Sequence, residues 1–155
     1  MNKAIALCWA LGLLSVDASA VVTEQHWNNW YGNNGGMEFA LSTQNQAGET
    51  LTLTCSGKKF IVGYSVPKDN YEISSDEGAS DVSLIINNAQ LGLDNFPSPP
   101  DGKVPATEAF NALKNTSASD IIRFTSFQSG DSKDFSANGL ASALKKVSWE
   151  DCMNQ

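Results

Sequence analysis

Alternation between hydrophobic and polar residues runs through the middle of the chain. Apolar side chains occupy every second position in several short runs, and these runs end at turn-forming residues such as Asn, Gly and Pro. A period of two is typical of a β-strand with one buried face. The first two runs are joined by a short turn that contains Gly48, which predicts an antiparallel hairpin. The predicted strands lie near residues 37–43, 51–55, 60–66, 82–86, 91–96 and 121–127, with a short return strand that begins at Phe135.

Two other segments follow the helical period of 3.6 residues. Between residues 107 and 114, Phe110 and Leu113 share one face, and Thr107 is the expected N-cap. Between residues 138 and 147, hydrophobic residues recur at i, i+4 and i+7. That segment ends in two lysines, which suit the negative end of a helix dipole.

The start of the chain has a different character from the rest. Lys3 precedes an apolar run over residues 4–14, and Ala18-Ser19-Ala20 follows it. A positive start, a short apolar run and an A-x-A ending are typical of a secretory signal peptide, whereas crossing a bilayer takes about 20 apolar residues. We therefore predict a signal peptide over residues 1–20 and a periplasmic or secreted mature chain that begins at Val21, with no membrane span.

The length of 155 residues suits one domain, and no internal repeat or linker divides the chain. We predict a single exported β-rich domain over residues 21–155. Its fold class is expected to be α+β, mainly antiparallel β and sandwich-like, with two short helices near 107–114 and 138–147.

The predicted export determines how the cysteines are interpreted. Cys8 lies in the predicted signal peptide, so the mature chain keeps Cys55 and Cys152. Two cysteines in an oxidising compartment favour one disulfide over two free thiols. The bond would tie the tail of the chain to a central strand.

Charge and motif content narrow the function classes. The formal net charge is −7, and an acidic surface disfavours nucleic acid and anionic lipid as partners. The chain has one histidine, and it lacks phosphate-loop, dinucleotide-binding, zinc-binding and serine-hydrolase motifs. We therefore predict a protein that is not an enzyme, with no catalytic residue, no cofactor and no metal site.

An acidic segment follows the third predicted strand. Its spacing does not match a calcium-binding EF-hand loop, so we expect a solvated loop that could meet a basic protein. If the chain were a hydrolase, Glu72 and Asp76 would be its candidate carboxylate pair. The acidic residues are Asp69, Glu72, Asp76, Glu77 and Asp81.

Aromatic residues cluster before the first predicted strand, in an Asn- and Gly-rich segment that predicts turns. Histidine is a common general base in enzymes, but the sequence offers no nucleophile motif that could be paired with His26. Trp27, Trp30 and Tyr31 allow two interpretations. They either pack against one end of the β core, or they form a surface that stacks on sugar rings or on a peptide.

The C-terminal third also carries a family resemblance. Its helix, strand, polar turn, Phe-Ser step and Gly-led helix are similar to the end of the exported invasion-associated locus B family and of VasI-type accessory proteins of type VI secretion. The resemblance implies a periplasmic, β-rich, non-enzymatic protein with protein partners, and it transfers no catalytic residue. The segments that carry it are Phe110-Asn111-Ala112-Leu113-Lys114, Ile121-Ile122-Arg123-Phe124, Phe135-Ser136 and Gly139-Leu140-Ala141-Ser142-Ala143-Leu144.

Two features of the chain depart from that family. The cysteine pairs expected there are reduced to Cys55 and Cys152, and the N-terminal aromatic segment belongs to this chain. The sequence thus predicts a bacterial exported accessory protein that acts by binding another protein, such as a secretion component or a toxin. The alternative is a carbohydrate- or peptidoglycan-binding module that uses Trp27, Trp30 and Tyr31.

Overall fold

The computed structural model describes residues 24–34, 39–77 and 81–154. The predicted signal peptide, its cleavage site before Val21 and Met37 of the first predicted strand lie outside these ranges. Within them the chain forms two antiparallel sheets and three short α-helices. The predicted α+β, mainly antiparallel fold is confirmed.

The first sheet is a six-stranded meander in which each strand pairs with the next one along the chain. Burial alternates along its central strands, because every second side chain faces the interior. Its strands are β1 (Gln25–Trp27), β2 (Trp30–Asn33), β3 (Phe39–Gln44), β4 (Thr50–Ser56), β5 (Lys59–Val66) and β6 (Tyr71–Ser74).

The second sheet is smaller and has the order β10-β9-β7-β8, with β11 also paired to β9. Ile122, Phe124 and Ser126 face the interior from its central strand, as the alternation predicted. Its strands are β7 (Ser83–Ile86), β8 (Ala89–Gly92), β9 (Ile121–Ser126), β10 (Gly130–Asp131) and β11 (Phe135–Ser136).

The core lies between the two sheets. The ring of Tyr64 on β5 stacks on Phe124 of β9, with centroids 4.9 Å apart. Phe60, at the other end of β5, meets Phe110 edge to face at 5.4 Å. Aromatic pairs of these geometries contribute about 0.5–1.5 kcal/mol beyond the burial of their area. They join the sheets to each other and to the first helix.

The first helix, α1 (Pro105–Lys114), begins two residues before its predicted start. Pro105 occupies the first helical position, where its fixed φ and missing N–H do no harm. The prediction of Thr107 as N-cap is wrong, because Val104 holds that position and the Thr107 N–H donates to the Val104 carbonyl. Phe110 and Leu113 are buried as predicted.

The second predicted helix is shorter than expected and is followed by a third. Helix α2 (Leu140–Leu144) starts after Gly139, which has a left-handed φ of 97°. Helix α3 (Trp149–Met153) then starts at a capping box formed by Ser148 and Asp151. None of the helices in the described residues is long and apolar enough to cross a membrane.

The predicted disulfide is present. Cys55 on β4 is bonded to Cys152 on α3, and both residues are buried. The bond spans 97 positions of sequence and ties the last helix to the centre of the first sheet.

Side chains cover the edge of β5 beyond the end of β6. The N–H and carbonyl of Phe60 both bond to the side-chain amide of Asn95, at 2.8 and 2.9 Å. The N–H of Val62 donates to the Ser75 hydroxyl at 2.9 Å, and the Val62 carbonyl accepts from the Ser75 N–H at 3.0 Å. The backbone groups of β5 are therefore satisfied without another strand.

Candidate functional site

The N-terminal aromatic segment forms a hairpin in which two tryptophans and two other rings take opposite faces. Trp27 pairs with Trp30, and His26 pairs with Tyr31. Trp30 is completely buried, and its indole N–H donates to the Ser136 carbonyl at 2.9 Å. Trp27 is partly buried against the same core. Trp30 is therefore a core residue with no surface on which a ligand could stack.

The outer face of this hairpin keeps two rings in contact. His26 stacks on Tyr31 with centroids 6.1 Å apart, and His26 Nε2 lies 3.2 Å from Glu24 Oε1. A three-ring platform of Trp27, Trp30 and Tyr31 would need these side chains on one face. The strand register places Trp27 and Trp30 on one face of the hairpin and Tyr31 on the other. Of the three predicted rings, only Tyr31, which contacts His26, lies on the outer face where a glycan could stack.

An exposed phenylalanine stands on the turn that follows β9. Phe127 is 95% exposed. Its N–H donates to the carboxylate of Asp81, which precedes β7. On the same turn, the Ser129 N–H donates to the Ser126 hydroxyl at 3.0 Å, and the two hydroxyls are 2.9 Å apart. The backbone that carries Phe127 is therefore held in place while its ring faces solvent.

Acidic and aromatic groups border this turn. Beside it lies a depression of about 350 Å³, whose lining includes Tyr71 and Asp69. The Tyr71 hydroxyl is buried and has no hydrogen-bond partner in the described residues. We name Phe127, Asp81 and Asp69 the Phe127 surface.

The predicted acidic loop is in part a strand. Glu72 lies on β6 opposite Ser65, and Asp76 accepts a hydrogen bond from the Ser74 hydroxyl at 2.5 Å in the turn that follows. Both carboxylates are exposed. In the part of the chain that the structure describes, neither side chain lines the depression beside Phe127 or the clefts around Arg123.

A larger cleft of about 980 Å³ opens between the β3–β4 turn and the segment that runs from β10 to β11. Amide side chains and Asp120 line it, and Arg123 of β9 forms part of its floor. A second depression of about 380 Å³ continues past Asn87 and shares Ile121, Arg123 and Asp134 with the first. We name this continuous space the Arg123 cleft.

Glu49 joins the two walls of the Arg123 cleft. Its carboxylate accepts from the Asn45 side chain at 2.7 Å and from the Lys133 N–H at 2.8 Å. It also bonds to the buried hydroxyl of Tyr64. Burial of that hydroxyl, followed by its hydrogen bond to Glu49, raises the pKa of Tyr64 from 10.0 to about 12. The cleft is therefore built on a hydrogen-bond network that reaches the core.

No family model, curated protein or solved structure matches the chain. In the described residues, no three His, Cys, Asp or Glu side chains group closely enough to hold a metal ion. Candidate functions therefore depend on the surfaces themselves.

Neither Phe127 nor Arg123 was predicted from the sequence to be a site residue. Arg123 alternates with the buried Ile122 and Phe124 on β9, and Phe127 follows β9 with its ring 95% exposed. Arg123 carried a further signal, because it is the single arginine of the chain.

Proposed function

We propose that the chain is an exported, non-enzymatic accessory protein that acts by binding another protein. The signal-peptide pattern at residues 1–20 supports export. The Cys55–Cys152 disulfide and the lack of a membrane-spanning helix in the described residues are compatible with a periplasmic or extracellular location. The observation that carries the binding role is the exposure of Phe127 on a hydrogen-bonded turn.

An aromatic side chain on a rigid turn is suited to anchor an interface. Burial of a phenylalanine removes a large apolar area from water, and interface energy concentrates in a few such anchors. Because backbone N–H groups of the turn already donate to the Asp81 carboxylate and the Ser126 hydroxyl, binding would order little more than the ring. Phe127 is thus the residue that we expect to enter a pocket on the partner.

The acidic residues near Phe127 indicate what kind of protein would bind this surface. The carboxylates of Asp81 and Asp69 lie at the turn or line the adjoining depression, and the whole chain carries −7. Opposite charges around an apolar anchor raise the association rate and fix orientation. The expected partner is a protein with lysines or arginines around an apolar pocket.

Site-directed crosslinking in the exporting cell tests this proposal. A photoreactive phenylalanine analogue would replace Phe127 in the full-length chain, and in a second variant it would replace Phe96. Phe96 is the matched control because it is 68% exposed on a different loop. We expect crosslinking to one defined basic protein from position 127 and not from position 96.

Quantitative binding to that protein completes the test. Phe127→Ala is expected to weaken binding at least tenfold, since truncation of an anchor residue costs about 2 kcal/mol or more. Phe96→Ala should stay within about twofold of the wild type. Equal binding by Phe127→Ala and the wild type, or equal losses in both variants, would exclude the Phe127 surface as the binding site.

A further inference from the structure

Arg123 holds most of its hydrogen-bonding capacity unused. A guanidinium carries five N–H donors in a planar fork. In the described residues, the contact of Arg123 is between its Nε and Asp134 Oδ1, at 3.8 Å. The side chain is 33% exposed, while that of Asp134 is 65% exposed. Because Arg123 also lines the Arg123 cleft, this half-buried cation can offer its remaining donors to a ligand there.

The backbone position of Arg123 is fixed from both sides. Its strand, β9, pairs with β7 on one edge, where Ile85 lies opposite Arg123. On the other edge β9 pairs with β10 and β11. A charged group on a central strand has a defined direction, which suits a binding site better than a group on a loop.

The lining around Arg123 favours a ligand with many hydroxyl groups. Side-chain amides and hydroxyls can both donate and accept, as sugar hydroxyls do. Two neighbouring carboxylates are already engaged within the chain: Asp120 accepts from Ser117, and Asp131 accepts from Thr125. The neutral polar side chains of the cleft include Asn29, Gln44, Asn45, Gln46, Ser119 and Ser136.

We propose that the Arg123 cleft binds an acidic sugar, whose carboxylate pairs with the Arg123 guanidinium and whose hydroxyls meet the surrounding amides. An arginine fork matches the two oxygens of a carboxylate. The contact of 3.8 Å to Asp134 is long enough to be exchanged for a bidentate pair. Ile121, which is 43% exposed, also lines the cleft, so a peptide is the competing ligand, and triglycine represents it in the test.

Titrations followed by amide NMR test the proposal on the oxidised mature chain. D-glucuronate is the probe, D-glucose is its neutral match, and triglycine supplies a carboxylate on a peptide. We expect saturable shifts at residues 121–123 and 131–136 with glucuronate, and at least tenfold weaker binding of glucose and of triglycine. Uniform or non-saturating shifts with glucuronate would overturn the proposal.

Two variants and one control identify the residue. Arg123→Gln is expected to abolish glucuronate binding, and Arg123→Lys, which keeps the charge but loses the fork, to weaken it at least fivefold. Lys145→Gln changes the net charge equally at an exposed position away from the cleft and should bind as the wild type does. Wild-type affinity in either Arg123 variant would overturn the role of Arg123.

Tighter binding of triglycine than of glucuronate would overturn the sugar assignment. If Arg123→Gln does not fold, Arg123→Lys still decides the question. This inference does not rest on the protein-binding function proposed above, because it uses other side chains and either proposal can fail alone.

Discussion

The carbonyl oxygen of Trp27 lies 1.7 Å from the point where a Cβ on Gly139 would sit. Gly139 also has a left-handed φ of 97°. A side chain at this position would therefore clash with the backbone of β1 and strain its own. We expect Gly139→Ala to lower the free energy of unfolding by at least about 2 kcal/mol, as measured by urea denaturation.

Gly48→Ala separates the clash from the strain. Gly48 has a similar positive φ of 80°, but no atom lies within 4 Å of its added Cβ. Its expected loss is about 1 kcal/mol, from backbone strain alone. If both variants lose the same free energy of unfolding, the close approach of the Trp27 carbonyl to Gly139 does not add to the cost of a side chain at position 139.

Loss of the disulfide should destabilise the domain strongly. The bond restrains a loop of 97 positions, and the chain-entropy model gives about 4–5 kcal/mol for loops of this size. We expect the Cys55→Ala, Cys152→Ala double variant to unfold at a much lower urea concentration than the oxidised wild type. The reduced wild type is the control and should match the variant; coincident curves for all three proteins would contradict the prediction.

Tyr64 should make stability depend on alkaline pH. Its pKa is about 12 in the fold, against 10.0 in the unfolded chain. Below pH 10 both states hold the proton. Between pH 10 and 12 the unfolded chain releases it first, so the free energy of unfolding falls as pH rises through this window.

The Tyr64→Phe variant removes the titrating hydroxyl and keeps the ring that stacks on Phe124. Urea denaturation at pH 9, 10 and 11 should show a shallower decline for this variant than for the wild type. Parallel declines would mean that Tyr64 titrates alike in the folded and unfolded states.

Ser148 caps the helix that carries Cys152. Its hydroxyl accepts from the Asp151 N–H at 3.0 Å, and its own N–H donates to the Asp151 carboxylate at 2.9 Å. We expect Ser148→Ala to lower the free energy of unfolding by about 1 kcal/mol at pH 7. The exposed Ser142→Ala on α2 is the control and should change stability much less.

Acid should weaken the same cap. The hydrogen bond from the Ser148 N–H, followed by that from its hydroxyl, lowers the pKa of Asp151 below 3.8. The contribution of this carboxylate is therefore present above pH 3.8 and lost as pH falls through its folded-state pKa. The gap between wild type and Ser148→Ala should narrow as pH falls below 3.8 and through the folded-state pKa, and an unchanged gap would contradict this account.

The mature chain isolated from the exporting cell should begin at Val21 and contain no free thiol. Intact-mass measurement before and after reduction and alkylation checks both points. Without reduction, we expect no alkylation and the mass of residues 21–155 less two hydrogens. Retention of Met1 together with alkylation of Cys55 and Cys152 would remove the basis for an exported protein.

Much of the fold follows from side-chain periodicity. Leu51, Leu53 and Cys55 alternate with threonines, and the structure places all three in the core. Hairpin β1–β2 was missed because its short strands carry polar residues, and a two-residue turn with Asn28 at a φ of 54° joins them. Strand β6 was missed because Glu72 and its acidic neighbours are typical of a loop.

The candidate surfaces are harder to derive from sequence. Phe127 reads as one more alternating residue of a strand, and only the turn geometry shows that its ring leaves the sheet. The Arg123 cleft brings together residues far apart in the chain, such as Asn29 and Asp134. A local sequence pattern cannot show that such distant residues come together. The cleft can therefore be recognised only from the packing of the two sheets.

The amide of Asn95 occupies both hydrogen-bonding groups of Phe60, and Ser75 does the same for Val62. A second polypeptide therefore cannot extend the first sheet by pairing with this part of β5. For the same reason, identical copies of the chain cannot pair edge to edge there to form a fibril. This flank is therefore protected against edge-to-edge aggregation, and any partner that binds near it has to contact side chains rather than the β5 backbone.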